Sequence, residues 1–388
     1  MLTTNIHVAE RAALLGFSDI VKIRNRVLDM RSQGHRVLQL EGGEPYIGTP
    51  SFVVEAMKSA LDAGQTRYAA SSGIPQLLEA LRGKLAAKNG VEVTTNQIIV
   101  TSGGAHGLFC AFQASVNPGD EVMFFSPYWT PIKDQVTYSG GTPIRVPWDE
   151  ARGVDDLRET LEKYRGERTR VIYVNTPGNP TGDVFTRRQL ESIAAFAIEH
   201  DLIVIADEAY ENLVYDTEHV SIASLPGMLS RTLTVYTFSK SFSMTGWRIG
   251  YVVADEPFMG FLRKLVLNSI NGVSTPTQYA AHAAITHDPH FFDSIRDGYR
   301  QRRDLLVGAL NASGFRCLTP PGAFYTFPDV RERLGNDSWK AMETLLDRTS
   351  IASVPGIVFG AEGEGHLRMS FSTSLEILEE VVEALRKL

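Results

Sequence analysis

The sequence predicts an α/β protein: a mainly parallel seven-stranded sheet flanked by helices, with a smaller α+β domain beside it. Two observations carry this. Short β-branched or aromatic runs alternate with longer amphipathic segments from about residue 73 to about residue 285, while the first 48 residues fit this rhythm poorly. Most of these runs are apolar on both faces, as strands covered by helices on each side must be. After about residue 285 the alternation stops, and a long charged helical stretch leads into short strand-like pieces.

The expected strands are, in order, QIIVT (97–101), EVMFFS (121–126), TPIRVP (142–147), RVIYVN (170–175), LIVIAD (202–207), TLTVYTF (232–238) and IGYVVA (249–254). Helical periodicity marks 73–89, 103–116, 186–199 and 256–269 between them. The later helical stretch stops at Gly314, as a helix ending in a left-handed glycine would. A last helix is expected from about Thr373. Thr373 and Glu376 have the spacing of a capping box, and Ile377, Leu378, Val381, Val382, Leu385 and Leu388 form one apolar face.

Composition narrows the function. At 388 residues the chain exceeds what one hydrophobic core usually fills, which fits a large domain plus a small one. A net charge of −7 gives no reason to expect nucleic acid or an anionic membrane as partner. The two cysteines, Cys110 and Cys317, lack C-x-x-C spacing, so neither a disulfide framework nor a metal site is expected. The N-terminal MLTTNIHVAERAALLGF is interrupted by Glu10 and Arg11 before an apolar core builds up, and no apolar run reaches membrane-spanning length. A cytoplasmic location is the expectation.

In open parallel sheets, ligands bind beyond the carboxyl ends of the strands. After 97–101 comes SGGAHG, whose Gly103, Gly104 and Ala105 open a helix with backbone amides free to face an anion. Trp129 follows the second strand, Asn179 in NTPGNPTG follows the fourth, and Asp207 and Tyr210 in DEAY follow the fifth. Lys240 follows the sixth, with Arg248 beyond it. Singly, each has a plain structural explanation: a tight turn, core packing, a helix cap, a solvated lysine. Those explanations leave their shared location at one sheet edge unaccounted for.

Pyridoxal phosphate accounts for it. Its aldehyde needs a primary amine, which Lys240 supplies as a Schiff base. Its pyridine nitrogen needs a carboxylate, Asp207, to hold the proton there. Tyr210 and Asn179 can donate to the ring hydroxyl, and Trp129 can cover the ring face. The phosphate needs the amides at 103–105, the Thr237 hydroxyl and the Arg248 guanidinium.

The blocks NPTG, DEAY, SKSFSMTGWRIG, PGAFYTF and LRMSFS, from LEGGEP at 40–45 to the final helix, closely resemble the signature of class I/II aminotransferases of fold type I, of the aspartate aminotransferase kind. That resemblance implies transfer of an amino group from an L-amino acid to a 2-oxo acid such as 2-oxoglutarate in two half-reactions. It further implies that Arg368 holds the substrate α-carboxylate, with Gly43, Asn179 and Trp129 beside it. Tyr68 matches a tyrosine that reaches the phosphate of a neighbouring subunit, which implies a homodimer with shared active sites. By the same resemblance, residues 49–284 form the large cofactor-binding domain, and 1–48 joins 285–388 as the small domain.

The scaffold alone also serves C–S lyases, aminocyclopropane carboxylate synthase-like enzymes and oxygen-using pyridoxal enzymes. A regulator built on the same domain would need a DNA-binding segment for which the N-terminus is too short, and is not expected. One departure bears on substrate. Aspartate-specialised relatives often carry a lysine after the two glycines of the phosphate loop, where this chain has Ala105 followed by His106. His106 is either a substrate contact or a helix residue satisfied locally. A neutral, apolar or aromatic donor is therefore expected.

Overall fold

The computed structural model describes residues 9–17, 19–288 and 290–388. The expected small-domain segment 1–48 and the N-terminal stretch thus fall partly outside the described residues. A short strand β1 (Leu38–Gln39) precedes the central sheet. That sheet comprises β2 (Ile98–Thr101), β3 (Glu121–Ser126), β4 (Thr142–Pro147), β5 (Thr169–Asn175), β6 (Ile203–Asp207), β7 (Thr232–Thr237) and β8 (Gly250–Val253). Its order is β2-β8-β7-β6-β5-β3-β4. β8 runs antiparallel to both neighbours and every other pair is parallel. All seven expected strands are present, with ends shifted by one residue at most.

The two-faced apolar character of the strands has the expected cause. One face packs under the helices Gly103–Ser115 and Phe258–Ile270, through Val122, Phe124, Tyr173, Ile205 and Val235. The other packs under Arg187–Glu199, through Met123, Ile172, Val174 and Val204. Alternate residues of one strand therefore enter different cores, and neither face tolerates a polar run.

The C-terminal part adds β9 (Tyr325–Thr326), β10 (Ile351–Ala352), β11 (Val354–Pro355) and β12 (Leu367–Ser370). β1 pairs with β10, and β12 lies between β11 and β9. Leu38 and Leu40 share a core with Ile295, Tyr299, Leu345, Met369, Leu378 and Val381, so the early segment is tied to the late one by burial. The last helix, Leu375–Leu385, buries Leu378, Val381 and Leu385. Each such side chain contributes about 1.5–3 kcal/mol relative to exposure. Its cap differs from expectation: Ser374, in extended backbone, accepts from the Ile377 amide at 3.3 Å. The helix starts one residue later than the Thr373–Glu376 spacing suggests, and Glu376 falls too early in the first turn to close a capping box.

Candidate active site

Three adjacent parallel strands end at one cavity of about 310 Å3, and the final residue of each, Asn175, Asp207 and Thr237, lines it. Gly43, Gly104, Ala105, Trp129, Asn179, Tyr210, Lys240, Arg248 and Arg368 complete most of the wall. Of the residues expected there, two do not line the cavity: Gly103 lies just before Gly104 at the start of its helix, and Tyr68 is 89% exposed on its own chain.

Lys240 sits on the short helix Phe238–Ser241, capped by Thr237, whose hydroxyl accepts from the Ser239 amide at 3.1 Å. The Lys240 ammonium donates to the Gly43 carbonyl at 2.6 Å. Burial, reinforced by the Arg368 cation, lowers its pKa to about 8, so it is mostly protonated at pH 7 but becomes neutral amine far more readily than an exposed lysine. Asp207 is buried. Burial raises its carboxyl to about 6, against the hydrogen bonds from the Tyr173 hydroxyl at 2.8 Å and the Ala209 amide at 3.2 Å. Tyr210 shares a 3.0 Å hydrogen bond with the Tyr325 hydroxyl, and burial pushes its phenol well above the ordinary range.

At the cavity's other end the helix Gly103–Ser115 begins. Gly103 has φ of +77°, and a Cβ there would stand 2.7 Å from Arg248 Nη2. A Cβ on Gly104 would meet Thr237 Cβ at 3.3 Å. The two glycines thus let the amides, the hydroxyl and the guanidinium converge. Arg248 itself is a non-glycine residue at φ +56°, anchored by Nη1 donating to Thr245 O at 2.7 Å. Backbone strain of about 1–3 kcal/mol at a ligand-facing residue is characteristic of functional sites.

Arg368, on β12 and 3% exposed, donates to Asn179 Oδ1 at 3.1 Å and to Glu41 O at 2.7 Å, with its guanidinium 4.5 Å from the Tyr325 ring centroid. Its Nε is buried without a partner. A fork of donors with one unmet, on a cation whose pKa burial lowers, is built to receive an anion. His106 points away from this cavity. Its Nδ1 accepts from the Ser102 amide at 3.2 Å and its Nε2 meets Ser269 Oγ at 2.9 Å, so it is the locally satisfied helix residue.

Sequence reasoning missed Ile20, Leu108, Asn175, Thr245 and Tyr325, which also border the cavity. Asn175 and Tyr325 lie within the quoted blocks, and strand position could have found Asn175. Ile20 arrives from the helix Asp19–Ser32, far away in sequence, and no local signal marks it. Behind Asp207, Glu208, Glu211 and His219 come within ligand spacing. Lys84 donates to Glu211 at 2.5 Å, and Ser221 and His219 bond Glu208, so protein donors already fill that cluster.

A part-buried amine, a buried carboxylate, a phenol and a glycine-lined anion cradle facing one cavity define a pyridoxal-phosphate enzyme, and the groups fit that cofactor. The chain matches the family model described as aminotransferase class I and II over residues 35–385. It is 38% identical to the aspartate/prephenate aminotransferase of Thermus thermophilus, over 97% of each chain. Among solved structures, the Thermus thermophilus aspartate aminotransferase with maleate superposes with a TM-score of 0.94 at 37% identity, covering 99% of this chain and 100% of that one. The aromatic aminotransferase of Pyrococcus horikoshii superposes with a TM-score of 0.87 at 39% identity, covering 92% and 97%. The chain belongs to the class I and II aminotransferase family, and it is a pyridoxal-phosphate-dependent transaminase of fold type I.

Proposed function

We propose that this transaminase prefers donors with neutral, apolar or aromatic side chains, and passes their amino group to a 2-oxo acid such as 2-oxoglutarate. One observation supports the reading: beyond the cations assigned below to amine, phosphate and α-carboxylate, the described cavity wall holds no further cation, and Ile20, Ala105, Leu108 and Trp129 give it apolar surface beside the neutral Asn175, Ser239, Thr245 and Tyr325. A side-chain carboxylate buried there unpaired would cost several kcal/mol. His106 supplies no remedy, because it is turned away and burial lowers its pKa. Several relatives are named aspartate aminotransferases, which favours aspartate as a second reading. Ala105, where aspartate-specialised relatives often carry lysine, speaks against it. Arg24, on the same helix as Ile20 and held to Glu44 at only 4.0 Å, is a candidate cation for a dicarboxylic acceptor.

The same geometry, together with the family resemblance, supports the following residue roles. When bound, pyridoxal phosphate supplies the carbonyl that takes up the amino group and the ring that stabilises charge at the substrate Cα. Lys240 would anchor it, and its amine, when free, would accept and return the substrate Cα proton. Asp207 holds the proton at the ring nitrogen. Tyr210 and Asn179 donate to the ring hydroxyl, and Trp129 covers the ring. The amides of Gly103, Gly104 and Ala105, with Thr237 and Arg248, hold the phosphate. Arg368 and Asn179 fix the α-carboxylate near Gly43. Tyr68, exposed on its own chain, completes the phosphate site of a second copy in a homodimer. Residues 49–284 act as the cofactor-binding domain, with 1–48 and 285–388 as the part bearing Arg368.

The test is kcat/KM for aspartate, alanine, leucine, methionine and phenylalanine against 2-oxoglutarate. Leucine, methionine or phenylalanine should lead. Aspartate ahead by tenfold or more, about 1.4 kcal/mol of transition-state discrimination, would overturn the reading.

A further inference from the structure

Tyr173 stands on β5 two residues before Asn175, so both side chains leave the same face of the sheet. The register sets Tyr173 opposite Ile205 and Asn175 opposite Asp207, so the phenol must lean along the strand to reach Asp207. It does, donating to Asp207 Oδ2 at 2.8 Å. The ring is 2% exposed and packs beneath the helix Gly103–Ser115, 6.1 Å from the Phe112 ring. Phenylalanine would fill that core equally well. The hydroxyl is the one atom that packing leaves unexplained, and Asp207 is its hydrogen-bond partner.

Asp207 is held from two sides: Oδ1 by the Ala209 amide and Oδ2 by Tyr173. A carboxylate on a single-bonded side chain could otherwise rotate, and buried in this setting it could also take up a proton and present a donor. We propose that Tyr173 is a positioning residue for the cofactor's ring-nitrogen contact, fixing the Asp207 rotamer and keeping it ionised so that an acceptor faces the ring. The inference rests on the assignment of Asp207 to the ring nitrogen made above.

The surroundings agree with that role. Burial is the largest influence raising Asp207, and the Tyr173 hydrogen bond is the largest opposing it. Glu208 raises Asp207 further and Lys240 lowers it; Tyr210 also faces this pocket, and Arg248 and Arg368 share the cavity. Burial and Asp207 together push the Tyr173 phenol well above its ordinary value, so it stays protonated and serves as donor.

The experiment is cofactor affinity against pH. Cofactor-free full-length protein is titrated with pyridoxal phosphate between pH 5 and 9, followed by quenching of tryptophan fluorescence. The wild type should lose affinity as pH falls through about 6, where Asp207 takes up a proton. In Tyr173→Phe that midpoint should rise by about one unit, because a hydrogen bond to a charged group is lost. Replacing Tyr173 with 3-fluorotyrosine, a more acidic and stronger donor, should move the midpoint down, which covers the case of a poorly folding phenylalanine variant. Phe112→Leu, which loosens the same packing while sparing the hydroxyl, should leave it in place. Tyr173 variants that superpose on wild type, or equal displacement by Phe112→Leu, would overturn the inference. Failure of the underlying assignment looks different: wild type and Asp207→Asn would then share one pH profile.

Discussion

Replacing Arg368 by lysine retains charge and removes geometry. The guanidinium is 3% exposed, with Nη1 on Asn179 Oδ1, Nη2 on Glu41 O, and Nε without a partner. An α-carboxylate arriving there can take two parallel donors, whereas a lysine ammonium offers a single point contact. Loss of one hydrogen bond to a charged group is worth about 1.5–3 kcal/mol. Leaving Asn179 Oδ1 or Glu41 O without a donor adds about 1 kcal/mol or more. Part of that second cost falls on folding, so the expected loss in kcat/KM is about 100-fold to 1,000-fold. The assay is steady-state kinetics over several donors, with a thermal melt to verify folding. Every amino acid presents the same α-carboxylate, so all donors should fall by a similar factor and their ranking should hold. A loss under about threefold, or one confined to a single donor, would refute the assignment.

Lys240 gives a stability prediction with a defined sign. Its folded pKa of about 8 lies below the reference 10.5, so the folded chain binds fewer protons between those values and stability rises with pH across that window. Below pH 8 the part-buried ammonium destabilises the cofactor-free protein by up to about 3 kcal/mol. Lys240→Met should therefore unfold at higher urea than wild type at pH 7, with the gap closing toward pH 10.5; a gap that widens with pH would contradict this. Borohydride reduction of the loaded wild type, followed by peptide mapping, should find the cofactor on Lys240 and on no other lysine. Mixing Tyr68→Ala with Lys240→Ala chains should recover activity that neither has alone, because one site of the mixed dimer regains both residues; absence of recovery would place Tyr68 outside the partner's site.

The sheet was legible because its signal is local. Strand β6 reads IVIAD, apolar without alternation until the final aspartate, and that aspartate's position is its function. Lys240 and Arg248 were legible for the same reason, as charges where a buried strand ends. The cap of the last helix was misread by one residue because Thr373 and Ser374 are both good caps and only backbone geometry chooses between them. Ile20 and Tyr173 were not legible as site residues. Ile20 meets the cavity through tertiary packing alone, and Tyr173 reads as one more aromatic in a buried strand until the hydrogen bond to Asp207 appears. His106 left two readings open, and its ring nitrogens, engaged with Ser102 and Ser269, select the structural one.

The apolar donor wall is tested most directly by the phenylalanine-to-aspartate ratio of kcat/KM, measured side by side in the wild type and in Ala105→Lys. The wild-type ratio should exceed one. Restoring a cation beside the cavity should lower that ratio by about tenfold or more, the equivalent of roughly 1.4 kcal/mol. A wild type that favours aspartate tenfold, or a ratio that Ala105→Lys leaves unmoved, would contradict the account.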